Sequence, residues 1–129
     1  MNRTILLIED NEQNRYLTTF LLEKNGYTVV SAADGPRGIA AAQTALPAFI
    51  LLDIQLPTMD GYEVARELRR RDTLRDTPII AVTSYAMVGD RGKALQAGCN
   101  GYIEKPINPE TFIEEMEQFR VPAPTGAKP

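Results

Sequence analysis

The chain has 129 residues, 43% hydrophobic and 24% charged, which suits one domain with a real core. Its net charge of −3 argues against nucleic acid as the main partner, and no apolar run approaches the ~20 residues that span a bilayer. With no histidine and one cysteine, Cys99, the sequence excludes His-ligated zinc, Ser-His and Cys-His catalysis, and any intramolecular disulfide.

The opening MNRTILLIED has no small-residue cleavage site and turns acidic after a short apolar run, so a cytoplasmic location is expected. The first predicted strand, Thr4–Ile8, is continuously apolar, as in strands covered on both faces. It stops at Glu9 and Asp10. At ~4 Å and an effective dielectric of about 20, two carboxylates repel by roughly 4 kcal/mol. Water or a cation must offset that. A helix follows, with Tyr16, Phe20, Leu21 and Lys24 as its stripe and Asn25-Gly26 as its stop. The second strand is Thr28–Ala32, and Pro36 sits where the next helix starts. The third strand, Phe49–Leu52, runs into Asp53, and Val64 and Leu68 mark the helix after it. Pro47 and Pro57 fall outside elements. The fourth strand, Ile79–Val82, ends at Thr83-Ser84. The fourth helix, between Val88 and Ala97, holds Gly89 and Gly92, each costing up to ~1 kcal/mol against alanine. It should be the least stable helix. A short fifth strand, Tyr102–Ile103, leads to Lys105-Pro106. Asn108-Pro109 reads as N-cap and N1 of a last helix marked by Phe112, Ile113, Met116 and Phe119. The tail Val121–Pro129, rich in proline, reads as disordered. That leaves one domain over residues 1–120 and no output domain.

Alternating strands and helices predict an α/β fold with a doubly wound five-stranded parallel sheet, order 2-1-3-4-5, flavodoxin-like (βα)5. Right-handed crossovers bring all strand C-termini to one edge, where ligands bind. Glu9, Asp10, Asp53, Thr83, Ser84 and Lys105 then gather there. Strands 1 and 3 are neighbours ~4.8 Å apart, so Asp10 and Asp53 can meet on one ion, and an all-oxygen site suits Mg2+. Each residue alone has a plainer reading: a solvated loop for Glu9-Asp10, a turn or cap for Asp53, a strand cap for Thr83, a surface lysine for Lys105. Their joint placement at four of five strand ends argues for a site.

The acid pair in LLIEDN, the segment LLDIQLPTMDG, the hydroxyl in AVTSYA and the segment YIEKPI occur in that order. Over Thr4 to about Arg120 the chain resembles the response-regulator receiver domains of two-component signalling, single-domain type. The resemblance implies that Asp53 accepts a phosphoryl group from a phosphohistidine on a histidine kinase or histidine phosphotransfer protein. It implies Mg2+ held by Asp10, Asp53 and the backbone carbonyl of Gln55, with Glu9 acting directly or through water. Lys105 and Thr83 would each contact a phosphoryl oxygen. Thr83 and Tyr102 would form the switch, altering the surface of the fourth helix, fifth strand and fifth helix for a downstream protein. Gln55 and Tyr85 would flank the path of attacking water, and Lys105-Pro106 would be a cis peptide. Tyr85 is bulky and Gln55 long and mobile, so slow self-dephosphorylation is expected. The protein should be a monomer or weak dimer that neither binds nucleic acid nor enters a membrane, and it would catalyse only its own phosphorylation and dephosphorylation.

Rival readings need different loops. A flavodoxin-like binding protein needs a phosphate cradle after the first strand, where EDNEQN stands. A Mg2+-dependent aspartyl-phosphate phosphohydrolase places a DxD pair there instead. Arg66, Arg69, Arg70, Arg71 and Arg75 are interleaved with Glu63, Glu67, Asp72 and Asp76, which reads as a solvated helix face or a docking rim.

Overall fold

A computed structural model describes residues 2–84 and 89–120. In chain order the elements are β1 (Thr4–Ile8), α1 (Glu12–Lys24), β2 (Thr28–Ala32), α2 (Gly35–Ala45), β3 (Phe49–Asp53), α3 (Gly61–Arg69), β4 (Ile79–Thr83), α4 (Asp90–Ala97), β5 (Gly101–Glu104) and α5 (Phe112–Glu117). A 3-10 turn at Asp72–Leu74 follows α3. The strands form one sheet in the order β2-β1-β3-β4-β5, and every pairing is parallel. Fold class and strand order are those the sequence predicts.

The two-residue side-chain period of a strand explains the layers. Leu6, Ile8, Ile50 and Leu52 point to one face and pack with Ile39 of α2, Val64 and Leu68 of α3, and Ala94 and Ala97 of α4. Ile5, Leu7, Phe49 and Leu51 point to the other, against Leu22 of α1 and Phe112 and Met116 of α5. Ile5, Leu6, Ile8 and Phe49 through Leu52 are fully buried. Each contributes roughly 1.5–3 kcal/mol relative to exposure, which holds the register at the sheet edge.

Two expectations need correction. The α1 stripe faces the core only in part: Leu21 packs half-buried against it, but Tyr16 and Phe20 are 70% and 58% exposed, and the buried residues of the helix are Thr18 and Leu22. The apolar arc of this helix is wider than the part the sheet covers, and periodicity alone does not say which part that is. The last helix begins at Phe112, after Pro109. Asn108 instead closes a turn, its side chain accepting from the Glu110 N–H at 2.9 Å and its carbonyl from the Phe112 N–H at 2.8 Å. In α4, Gly89 is the N-cap, in the left-handed region at φ 92°, and Gly92 lies within the helix. The predicted strand 1, 2, 3 and 4 starts coincide with the observed ones. The tail Val121–Pro129 lies outside the described residues. No described helix is long and apolar enough to cross a membrane.

Candidate active site at the carboxyl edge of the sheet

Burial of β1 and β3 carries their polar ends to the same edge. Ile8 pairs with Leu52, so the residues that follow, Glu9 and Asp53, emerge side by side. Glu9 still belongs to the ladder, its N–H donating to the Ala32 carbonyl at 3.0 Å. Asp10 is exposed, and Asn11 ends the loop by capping α1, its side chain accepting from the Asn14 N–H at 2.8 Å. The loop after β3 turns back at once, with the Gly61 N–H bonded to the Ile54 carbonyl at 2.9 Å. Only glycine fits at that point, because a Cβ on Gly61 would lie 2.5 Å from the Ile54 Cα and 2.7 Å from the Asp53 carbonyl oxygen. Asp60 then caps α3 by accepting from the Glu63 N–H at 3.0 Å.

Carboxylate oxygens of Glu9, Asp10 and Asp53 lie within 4.8 Å of one another. Glu9 and Asp53 are 4% and 5% exposed. The Lys105 Nζ, carried in from the end of β5, donates to Glu9 Oε1 at 2.7 Å and reaches Asp53 Oδ2 at 3.5 Å. The protein thus supplies part of the cation that the Glu9-Asp10 pair demands. Asp53 Oδ1 accepts from the Gln55 N–H at 2.9 Å. Burial nevertheless pushes the Asp53 carboxyl up to about 6; the Gln55 N–H opposes this, the Glu9 charge reinforces it, and Lys105 opposes it more weakly. One ammonium does not neutralise three carboxylates. That residual charge, an all-oxygen donor set and one exposed carboxylate fit a hard divalent cation.

Thr83 is 2% exposed at the end of β4, and its carbonyl accepts from the Lys105 N–H at 2.7 Å. The Lys105–Pro106 bond is cis. Tyr102 is half-buried on the α3/α4 face, with the Arg91 guanidinium 5.2 Å from its ring centre. Its hydroxyl is buried with no hydrogen-bond partner among the described residues. Tyr85 lies outside the described residues.

Arg15 carries no motif signal, and the partner of Ser84 is new. Arg15, on the first turn of α1, donates to the Glu9 carbonyl at 2.9 Å and tightens the acidic loop. The Ser84 hydroxyl donates to Gln55 Oε1 at 2.9 Å. The Gln55 side chain thus meets the end of β4 across the edge. A groove of about 770 Å³ runs along α1 from Leu17, Phe20 and Leu21 to Pro106 and Ile107, and Ser84 and Lys105 also line it.

Fold and edge together describe a receiver domain, and the comparisons agree: the response regulator receiver domain family matches residues 5–117, and the chain belongs to it. Among characterised relatives, the polar-differentiation response regulator DivK of Brucella anthropi is 40% identical over 119 residues, covering 92% of this chain and 97% of that protein. DivK of Brucella abortus is likewise 40% identical over 119 residues, with the same coverage of 92% and 97%. Chemotaxis protein CheY4 of Vibrio cholerae superposes with a TM-score of 0.88 at 28% identity, covering 92% of this chain and 99% of that one. The receiver domain of a sensor histidine kinase from Pseudomonas aeruginosa, solved with a magnesium ion in its active site cleft, has a TM-score of 0.84 at 37% identity and covers 92% of this chain and 98% of that one.

Proposed function

We propose that this receiver domain accepts a phosphoryl group on Asp53 from a phosphohistidine and passes the signal on by protein contact. The observation that carries this reading is the convergence of Glu9, Asp10 and Asp53 within 4.8 Å, with Lys105 in contact with two of them. Phosphoryl transfer asks a protein for positioning and charge neutralisation more than for covalent help. Asp53 is held by the Gln55 N–H at one oxygen, which leaves Oδ2 beside Lys105 as the nucleophilic atom. Phosphorus bonds to that oxygen, the bond to the histidine nitrogen breaks, and its electron pair stays on the imidazole. Lys105 has a flexible stem, so it can pass from Glu9 to a phosphoryl oxygen as a point charge. Thr83, buried one residue beyond the β4 rung opposite Asp53, donates to another. Asp10, Asp53 and the Gln55 backbone carbonyl would hold Mg2+, with Glu9 acting directly or through water. The ion supplies positive charge that offsets the carboxylates and the incoming phosphoryl oxygens.

The donor must bring its phosphohistidine to within bonding distance of Asp53. The groove along α1 reaches Lys105 and Ser84, and exposed Leu17 and Phe20 flank it, so the phosphohistidine-bearing partner rests on that face. Output leaves by a different surface. Movement of Thr83 toward the phosphoryl group frees space that Tyr102 fills, and α4, β5 and α5 present the changed surface.

Asp53→Asn tests the reading. It is expected to abolish labelling by acetyl phosphate or a cognate donor while the far-UV circular dichroism stays that of the wild type. Intact and peptide mass spectrometry that finds the phosphoryl group on Glu9, Asp10 or a hydroxyl would overturn the assignment of the acceptor.

A further inference from the structure

Past the ladder of β1, the acid pair is held from α1. The Glu9 N–H still donates to the Ala32 carbonyl at 3.0 Å, and Glu9 Oε2 accepts from the Asn11 N–H at 3.1 Å. Asp10 lies one residue further out and is exposed, so its carboxylate stands where the loop backbone puts it. Arg15 grips that backbone from outside the loop. Its Nη1 donates to the Glu9 carbonyl at 2.9 Å and to the Asp10 carbonyl at 3.4 Å. The Arg15 N–H donates to the Asn11 carbonyl at 2.9 Å, and the Asn11 side chain caps the helix. The guanidinium therefore reaches back from a turn that is already fixed. Resting on the receiver reading above, we propose that Arg15 is a positioning residue for the divalent cation: its grip on two consecutive carbonyls presets the loop and holds the Asp10 carboxylate where it can share an ion with Asp53.

Two effects of this guanidinium on a cation oppose each other. Its charge repels a divalent ion, so by charge alone its removal would tighten binding. Its hydrogen bonds act the other way, because a loop already held in one conformation loses less entropy when the ion arrives. Arg15 is half-buried, so water and salt screen the repulsion. The bonds are charge-assisted, and one nitrogen serves both carbonyls. Glu9 and Asp53 are buried and bonded separately to the Asn11 and Gln55 N–H groups, which leaves the exposed Asp10 as the carboxylate most dependent on this grip. Positioning thus outweighs repulsion, and substitution of Arg15 gives the two effects opposite signs.

Isothermal titration calorimetry of the full chain with Mg2+ alone reads the effect without any phosphodonor. Arg15→Ala is expected to raise the Mg2+ dissociation constant about three- to tenfold, the range that one net hydrogen bond supplies. Arg15→Met keeps an unbranched stem but no donor, and should match Arg15→Ala. The Mg2+ concentration for half-maximal labelling by acetyl phosphate should rise by the same factor, with the maximal rate within about twofold of wild type, whereas a general loosening of the fold would lower that rate. Unchanged or tighter Mg2+ binding in Arg15→Ala would overturn the proposal. So would Arg15→Met binding Mg2+ as wild type does, because the effect would then lie in the packing of the stem. A wild-type chain that binds no Mg2+ overturns the metal site and this proposal with it, while one that binds Mg2+ but takes up no phosphoryl group on Asp53 overturns the receiver reading.

Discussion

Asp53 sits where burial and charge oppose each other. Its folded-state carboxyl is pushed up to about 6, chiefly by burial, while an unfolded aspartate titrates near about 3.9. Below about pH 4 both states carry the proton and the group costs nothing. As pH rises through 6 the unfolded chain has already released its proton, and the folded chain must hold a poorly solvated charge. Stability therefore falls across that window, by on the order of 2–3 kcal/mol once the carboxylate is fully ionised. Asp53→Asn carries no charge at any pH. In magnesium-free buffer its melting temperature should rise relative to wild type between pH 4 and 7 and then keep a constant lead of several degrees. Parallel melting curves over that range would show that the strain at the site lies elsewhere. Cys99 makes the contrast clear: it is buried too, and burial pushes its thiol up to about 11, so it stays neutral and acts as a small core residue.

Among the helices, α4 is held unevenly. Its first turn starts at Gly89 with no side-chain cap, and of its residues only Ala94 and Ala97 are buried. Its last turn is held firmly. Gly98, at φ 110°, closes the helix, and the Arg69 Nε donates to its carbonyl at 2.8 Å. The same guanidinium donates to the carbonyls of Leu74 and Thr77 at 2.8 and 2.7 Å and to Asn100 Oδ1 at 2.5 Å. Asn100 Oδ1 also accepts from the Ile79 N–H at 2.9 Å, so one arginine ties α3, the 3-10 turn, the start of β4 and the end of α4. A lysine ammonium cannot reproduce that planar fork. Arg69→Lys is expected to cost about 2–3 kcal/mol in urea unfolding, because several carbonyls lose their partner together. A loss under about 0.5 kcal/mol, the scatter of ordinary surface substitutions, would show that the network is redundant. Hydrogen exchange should show the same asymmetry in the wild type, with the amides of Arg91 to Lys93 exchanging well before those of Gly98 and Cys99. Uniform protection along α4 would show that its two ends are held alike.

For the molecule as a whole, the carboxyl edge concentrates negative charge that folding must tolerate. Any ion that binds only the folded state repays part of that cost by mass action. Mg2+ at a hundred times its dissociation constant should add about 2.7 kcal/mol to the folded state. Asp10→Ala should abolish most of that gain while leaving the metal-free stability within about 0.5 kcal/mol, because Asp10 is exposed. Equal stabilisation of wild type and Asp10→Ala by Mg2+ would remove Asp10 from the metal set. Calorimetry at constant pH in two buffers of different ionisation enthalpy would also show the protons that Asp53 releases as the metal binds.

Strand and helix order, the parallel sheet and the gathering of Glu9, Asp10, Asp53, Thr83 and Lys105 at one edge were all legible in the residues. These features follow from local apolar pattern and from the handedness of crossovers, which act alike in every chain of this rhythm. The partner of each side chain was not legible. Lys105 reaches Glu9 across 96 positions, and Ser84 reaches Gln55 across 29. Nothing local encodes those contacts; they depend on how far each loop projects once the sheet is packed. The same holds for α1, whose apolar residues looked like core until the sheet covered Thr18 and Leu22 and left Tyr16, Leu17 and Phe20 to solvent. Periodicity marks which residues share a face, and only the packing of neighbouring layers determines how much of that face is removed from water.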